Sequence, residues 1–93
     1  MIEADIETAC IELAERAGYE TRKVKWVGQR AAPDRVFFGH GRCVFVEFKK
    51  GNEKLKGLQK RKFKDLRKLY KDIWAVWEVE TFRVIMNIPE NIQ

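Results

Sequence analysis

The sequence lacks the features of disulfide-stabilised, membrane-spanning and secreted chains. Its two cysteines, Cys10 and Cys43, lie far apart among apolar neighbours without a CxxC or Cys/His cluster, so we expect buried free thiols in a reducing compartment. No apolar run approaches the roughly 20 residues of a membrane helix. The acidic start MIEADIE is unlike a signal peptide. With 45% hydrophobic and 35% charged residues, the chain is expected to be one cytoplasmic domain over residues 1–93.

Basic residues concentrate in one segment, residues 49–72. It holds 11 Lys/Arg against 3 Asp/Glu, whereas the rest of the chain has 8 basic and 11 acidic residues. The asymmetry favours a polyanionic partner such as nucleic acid, although a solvated lysine-rich helix face has the same composition.

Apolar periodicity predicts two helices. Apolar residues recur at helical spacing from Ile6 onward, which predicts a helix from about Ala4 to Ala17 with Gly18 as its C′ residue. A second amphipathic pattern starts at Leu58 and continues to about Lys71.

Segments rich in β-branched and aromatic residues predict the strands TRKVKWV, RVFF, CVFVEFK and IWAVWEV. GHGR between RVFF and CVFVEFK signals a tight hairpin, and the second helix predicts a right-handed parallel crossover into IWAVWEV. The tail TFRVIMNIPENIQ fits either a short helix or a further strand. The expected fold is α/β, a mixed sheet flanked by helices on both faces in the order α-β-β-β-α-β.

Two carboxylates and a lysine converge at one end of the predicted hairpin. If the turn centres on His40 and Gly41, Asp34 faces Glu47 across the two strands. Facing carboxylates repel each other, and a divalent cation between them would turn that repulsion into a chelate. Lys49 lies one pleat further along, where its ammonium reaches a phosphate or an attacking water. The arrangement suits metal-assisted hydrolysis of a phosphodiester.

Four motifs, taken in order, resemble the PD-(D/E)xK nuclease superfamily and most closely its virus-type replication-repair nuclease (VRR-NUC) domain. They are Glu3, Pro33-Asp34, Glu47-Phe48-Lys49 and Gln59. The resemblance covers nearly the whole chain and implies a restriction-endonuclease-like fold. One departure is Ala32, where the family usually has glycine before PD, and it concerns the backbone of the loop GQRAAPD more than the chemistry.

The resemblance implies a metal site and a reactive lysine. Asp34, Glu47 and the carbonyl of Phe48 would bind Mg²⁺ or Mn²⁺. Lys49 would position or help deprotonate the water and stabilise the charge of the phosphorane.

Two further residues carry roles by resemblance alone. Gln59 would steady Lys49 or the phosphate, and Glu3 would support the metal shell. Glu7, one helical turn later, competes with Glu3, and the sequence does not separate them.

Several cations and one aromatic residue are candidates for DNA contacts. Trp26 is a candidate for stacking on a base, and Arg30 fits a phosphate clamp or a plain surface residue. A lysine set that flanks the site would hold the DNA backbone without reading sequence, namely Lys50, Lys54, Lys56 and Lys60. The single histidine, His40, disfavours a histidine-dependent nuclease and suits the turn.

Together these features predict a metal-dependent, structure-selective DNA endonuclease of replication or repair. Stand-alone members of the resembled family are dimeric junction-resolving enzymes, which implies a homodimer that resolves four-way (Holliday) junctions. One alternative is a non-catalytic DNA-binding module of the same fold, which the joint presence of Asp34, Glu47 and Lys49 disfavours. Another is a restriction-type enzyme reading a short sequence, which the lack of a dedicated recognition domain disfavours.

Overall fold

The computed structural model describes residues 3–28 and 31–91, with side chains in the first helix from residue 5 onward. Its elements are α1 (Glu3–Arg16), β1 (Glu20–Lys23), β2 (Arg35–Gly39), β3 (Arg42–Phe48), α2 (Gly57–Leu69), β4 (Ile73–Val76) and α3 (Val79–Ile85). The predicted α/β class and the order α-β-β-β-α-β are confirmed, and α3 follows as a further helix.

The four strands form one mixed sheet in the order β1-β2-β3-β4. β1 pairs with β2 and β2 with β3 in antiparallel fashion, whereas β4 pairs with β3 in parallel. The two strands that α2 connects, β3 and β4, are therefore parallel, as predicted. Their pairing places the last residues of β3 and β4, Phe48 and Val76, side by side at one edge of the sheet.

The β2–β3 hairpin turns on the two residues that the sequence indicated. His40 and Gly41 have φ values of 52° and 74°, the positive pair that a two-residue type I′ turn requires. Gly39 pairs with Arg42 and Val36 with Phe45, which is the predicted register.

The sheet is covered on both faces, as expected. On one face, Val44, Val46 and Phe48 pack with Cys10 of α1 and Phe82 of α3 in a buried core. On the other face, Phe45 contacts the ring of Tyr70, the residue after α2, at 6.0 Å between centroids. Phe63 is the buried residue of α2, and it does not belong to the core formed with α1 and α3. Because α2 buries so little of its own surface, most of its basic side chains remain exposed.

Two strands are shorter in the structure than the sequence predicted. β1 stops at Lys23, so only the first half of TRKVKWV is a strand. The prediction that IWAVWEV is a strand throughout is wrong, because Glu78 is the N-cap of α3 and Val79 opens that helix. The helix directs Phe82 into the core, where its ring centroid lies 5.0 Å from that of Phe37 and 6.0 Å from that of Phe48. The tail is therefore helical up to Ile85.

The two thiols are free, as predicted, but only Cys10 is fully buried. Burial, with a smaller effect of the Glu7 charge, raises the pKa of Cys10 to about 12. Within residues 3–28 and 31–91, no helix has the length and apolarity needed to span a membrane.

Candidate active site

Asp34 is an exposed residue that follows a buried proline. The side chain of Pro33 is fully buried, whereas Asp34 is exposed. The Trp26 indole donates a hydrogen bond to the Pro33 carbonyl, and its ring lies 5.5 Å from that of Phe45. The carbonyl of Asp34 accepts a hydrogen bond from the Val24 amide at 2.8 Å. Trp26 therefore packs against Phe45 and Pro33, which disfavours its prediction as a base-stacking residue.

The loop before Asp34 does not need glycine at position 32. Among the described non-glycine residues, positive φ occurs only at Ala31, His40 and Asn87. The left-handed backbone thus falls on Ala31, so Ala32 adopts a conformation open to any L-residue. The departure from the family pattern carries no backbone strain at Ala32 itself.

The hairpin register brings Asp34 and Glu47 to the same place in the sheet. Arg35 pairs with Val46, and one further step of this register sets Asp34 opposite Glu47. Both then belong to the face that carries Phe45, because side chains alternate along a strand. We call this edge of the sheet, with Asp34, Glu47 and Lys49, the site edge.

Lys49 is buried between two carboxylates at the site edge. Its amide donates to the Val76 carbonyl at 2.8 Å, which extends the β3–β4 pairing by one residue. Its side chain is only 7% exposed. The ammonium Nζ lies 3.6 Å from Oε2 of Glu47 and 3.7 Å from Oε2 of Glu53. The side chain is thus held by the charges of Glu47 and Glu53 and does not extend freely into solvent.

The donors at the site edge are suited to a hard divalent cation. In the part of the chain that the structure describes, no three His, Cys, Asp or Glu side chains cluster as a complete metal site. Mg²⁺, however, is commonly held by one or two carboxylates, with waters and substrate phosphates completing its shell. Asp34, Glu47 and the carbonyl of Phe48 supply oxygen donors of this kind. The residues therefore fit Mg²⁺ or Mn²⁺ in a complex with DNA, and their roles remain predictions.

Gln59 lies at the start of α2 and has a structural contact there. Its Oε1 accepts a hydrogen bond from the Lys56 amide at 3.2 Å, so it satisfies one of the free N–H groups of the helix end. A contact with a phosphate would come from the amide nitrogen, which donates, whereas a contact with the Lys49 ammonium would need the second lone pair of Oε1.

Glu7, the rival of Glu3, is engaged elsewhere. Its Oε2 accepts a hydrogen bond from Nε of Arg35 at 2.7 Å, and the two side chains are 19% and 12% exposed. Nη1 of Arg35 also donates to Oγ1 of Thr21 at 3.2 Å. Glu7 thus ties α1 to β1 and β2, which assigns it a structural contact. The side chain of Glu3 and the whole of Arg30 lie outside the described residues.

The predicted DNA-binding lysines follow the residues of β3 at the site edge in the chain. Lys50 and Lys54 belong to the loop after β3, and Lys56 and Lys60 to the beginning of α2. All four are exposed. Because β4 runs parallel to β3, α2 carries the chain from the site edge back towards the hairpin end of the sheet. The first half of α2 therefore belongs to the site-edge end.

Glu53 was missed by the sequence analysis. It lies in a polar loop, where neither strand alternation nor helical spacing assigns a direction to its side chain. The only sequence signal was its place four residues after Lys49.

Comparison with known proteins supports the resemblance seen in the motifs. No protein-family model and no curated sequence matches the chain. A solved structure of a VRR-NUC domain is similar to it, with a TM-score of 0.79 and 25% sequence identity, covering 91% of this chain and 94% of the other. The resemblance is thereby confirmed at the level of structure, and the chain has the VRR-NUC, nuclease-type fold.

Replacing Glu7 should reveal a structural role. Glu7→Gln removes the charge opposite the largely buried Arg35, and we expect the free energy of unfolding in urea to fall by about 1–3 kcal/mol. The control is Glu20→Gln, because Glu20 pairs with Arg22 at 75% and 67% exposure; its loss should stay under about 0.5 kcal/mol. A Glu7→Gln protein of unchanged stability that has lost metal binding would instead assign Glu7 to the metal shell.

Proposed function

We propose that this chain, which has the VRR-NUC fold, is a metal-dependent DNA endonuclease that hydrolyses phosphodiester bonds in branched DNA. The observation that carries the proposal is the β2–β3 register. Its last pair is Arg35 with Val46, and continuing it by one residue sets Asp34 opposite Glu47, with Lys49 two residues further along the chain. A structural role alone does not explain why a small sheet aligns two carboxylates there.

Each residue of the site edge has a distinct task in this proposal. Asp34, Glu47 and the Phe48 carbonyl would hold Mg²⁺ or Mn²⁺, which when bound supplies Lewis-acid polarisation of the phosphate and lowers the pKa of water. Lys49 donates hydrogen bonds to the attacking water or to a phosphate oxygen. Because its ammonium is shielded from solvent, its charge acts there more strongly than it would in water.

Electrostatics would hold the DNA over the site edge. The exposed Lys50, Lys54, Lys56 and Lys60 follow it in the chain, on the loop after β3 and the first half of α2. Such lysines contact phosphates and read no base sequence, which agrees with selectivity for the shape of DNA rather than its sequence.

Substitution of the three central residues should separate chemistry from binding. We expect Asp34→Asn, Glu47→Gln and Lys49→Ala each to abolish Mg²⁺-dependent cleavage while the Kd for DNA stays nearly unchanged, because the basic helix is intact. Asp65→Asn, which removes an exposed carboxylate of α2, is the control and should cut normally.

Cleavage by one of the three variants at the wild-type rate would remove that residue from the mechanism. A wild-type protein that binds DNA without cutting in Mg²⁺ or Mn²⁺ would favour the non-catalytic DNA-binding module.

DNA affinity should depend steeply on salt because the proposed contacts release counterions from phosphates. The double variant Lys56→Ala/Lys60→Ala should flatten the plot of log K against log salt by about 1–2 units of slope. The matched control, Arg16→Ala/Lys71→Ala, removes the same charge from exposed positions near the hairpin turn and should leave the slope unchanged. An unchanged slope for the first variant would place the DNA on another surface.

A homodimer would complete the function. One chain carries one site edge, enough to nick one strand, whereas a two-fold dimer sets two sites in symmetric opposition, as a four-way junction requires. Most of the apolar tail is used within the chain, since Phe82, Met86 and Ile88 are buried. Apolar surface remains at Leu69, 85% exposed, and Val84, 60% exposed. These residues are available to an interface between two copies.

Assembly and substrate preference can be tested together. We expect light scattering at micromolar concentration to give the mass of a dimer, and cleavage of a synthetic four-way junction to yield paired, symmetric nicks in preference to linear duplex. A monomer that is fully active on junctions would contradict the dimer, and equal rates on linear duplex would contradict the junction preference.

A further inference from the structure

We propose that Glu53 is a positioning residue that holds the Lys49 ammonium at the site edge. It acts through Lys49 and has no assigned contact with DNA or metal. The inference rests on the proposed function for its consequence, but the contact itself is a property of the protein alone.

The ammonium of Lys49 is shared between two carboxylates. Its distances to Glu47 and Glu53 are nearly equal, 3.6 and 3.7 Å, and both exceed the roughly 2.7–2.9 Å of a tight charged hydrogen bond. A buried ammonium is stable only with anionic partners close by. The Lys49 side chain is 7% exposed, and the two carboxylates together offset the cost of burying its charge.

Glu53 is itself fixed by the backbone around it. Its amide donates to the Lys50 carbonyl at 2.8 Å, and its Oε1 accepts from the Lys50 amide at 3.2 Å. Its carbonyl accepts a hydrogen bond from the Trp77 indole, just after β4. One carboxylate oxygen thus closes the turn after β3, and Oε2 lies towards Lys49. A role in the turn alone would not account for the second contact.

Glu47 and Glu53 have different roles in the proposed reaction. Glu47 is assigned to the cation, so its charge is not then free to balance Lys49. Glu53 is not assigned to the cation and keeps a negative charge 3.7 Å from the ammonium. The lysine is therefore retained at the site edge without competing for the oxygens of Glu47.

The test uses Glu53→Gln, which keeps an oxygen acceptor for the Lys50 amide and removes the charge. The first readout is the rate at which an amine-reactive acetylating reagent modifies Lys49, measured by mass spectrometry without metal or DNA. The second is the single-turnover cleavage rate at saturating junction DNA, with the Kd measured in parallel. Asp65→Asn is the matched control, because Asp65 pairs with Lys68 at 3.9 Å on the exposed surface of α2.

We expect Glu53→Gln to raise Lys49 acetylation severalfold and to slow cleavage by about 10–100-fold, the scale on which supporting residues affect a site, at unchanged Kd. Asp65→Asn should change neither quantity. Unchanged acetylation of Lys49 in Glu53→Gln would overturn the inference. Increased acetylation with wild-type cleavage would overturn the role of the contact in the reaction.

A second variant guards against misfolding of Glu53→Gln. In Glu47→Gln, Glu53 remains as a partner of Lys49, and Lys49 should react more slowly than exposed lysines such as Lys60. If Lys49 then reacts as fast as Lys60, Glu53 does not hold it. A wild-type protein without nuclease activity would refute the proposed function, while the acetylation rates would still decide the contact.

Discussion

The two-residue turn at His40 and Gly41 is the constraint on which the site depends. A type I′ turn admits one pairing of the flanking strands, because its twist matches theirs and leaves no residue to spare. The pairing of Gly39 with Arg42 then propagates to Arg35 and Val46. A slip of one residue would turn every side chain of one strand to the opposite face, and the carboxylates would no longer align.

The sheet has two ends with different tasks. At the hairpin end, Arg42 donates two hydrogen bonds to Asp72 and a third to the Ile85 carbonyl. The Arg42 guanidinium thereby lowers the pKa of Asp72, and the contacts tie β3 to the chain segments on both sides of β4. At the site edge, carboxylates and a buried lysine meet instead, beside exposed basic residues. Contacts of Arg42 thus anchor the fold at the hairpin end, and the candidate catalytic residues lie at the other end.

The sequence predicted those features that local rules govern. Helical spacing predicted α1 and α2, and turn residues predicted the hairpin and its register. Prediction failed at Val79, because a short apolar run suits a buried strand and a short helix equally. There the burial of Phe82 against Phe37 and Phe48 decided the conformation, and those partners lie far away in the chain.

The sequence by itself determined the register of the hairpin, and with it the alignment of Asp34 with Glu47, because a tight turn and a period of two act over a few residues. Only the tertiary structure decided the partners of the charged side chains. Glu7 meets Arg35, and Lys49 meets Glu53 as well as Glu47. Such ion pairs form wherever packing and loop closure bring long side chains within about 4 Å, and neither spacing nor composition encodes that approach.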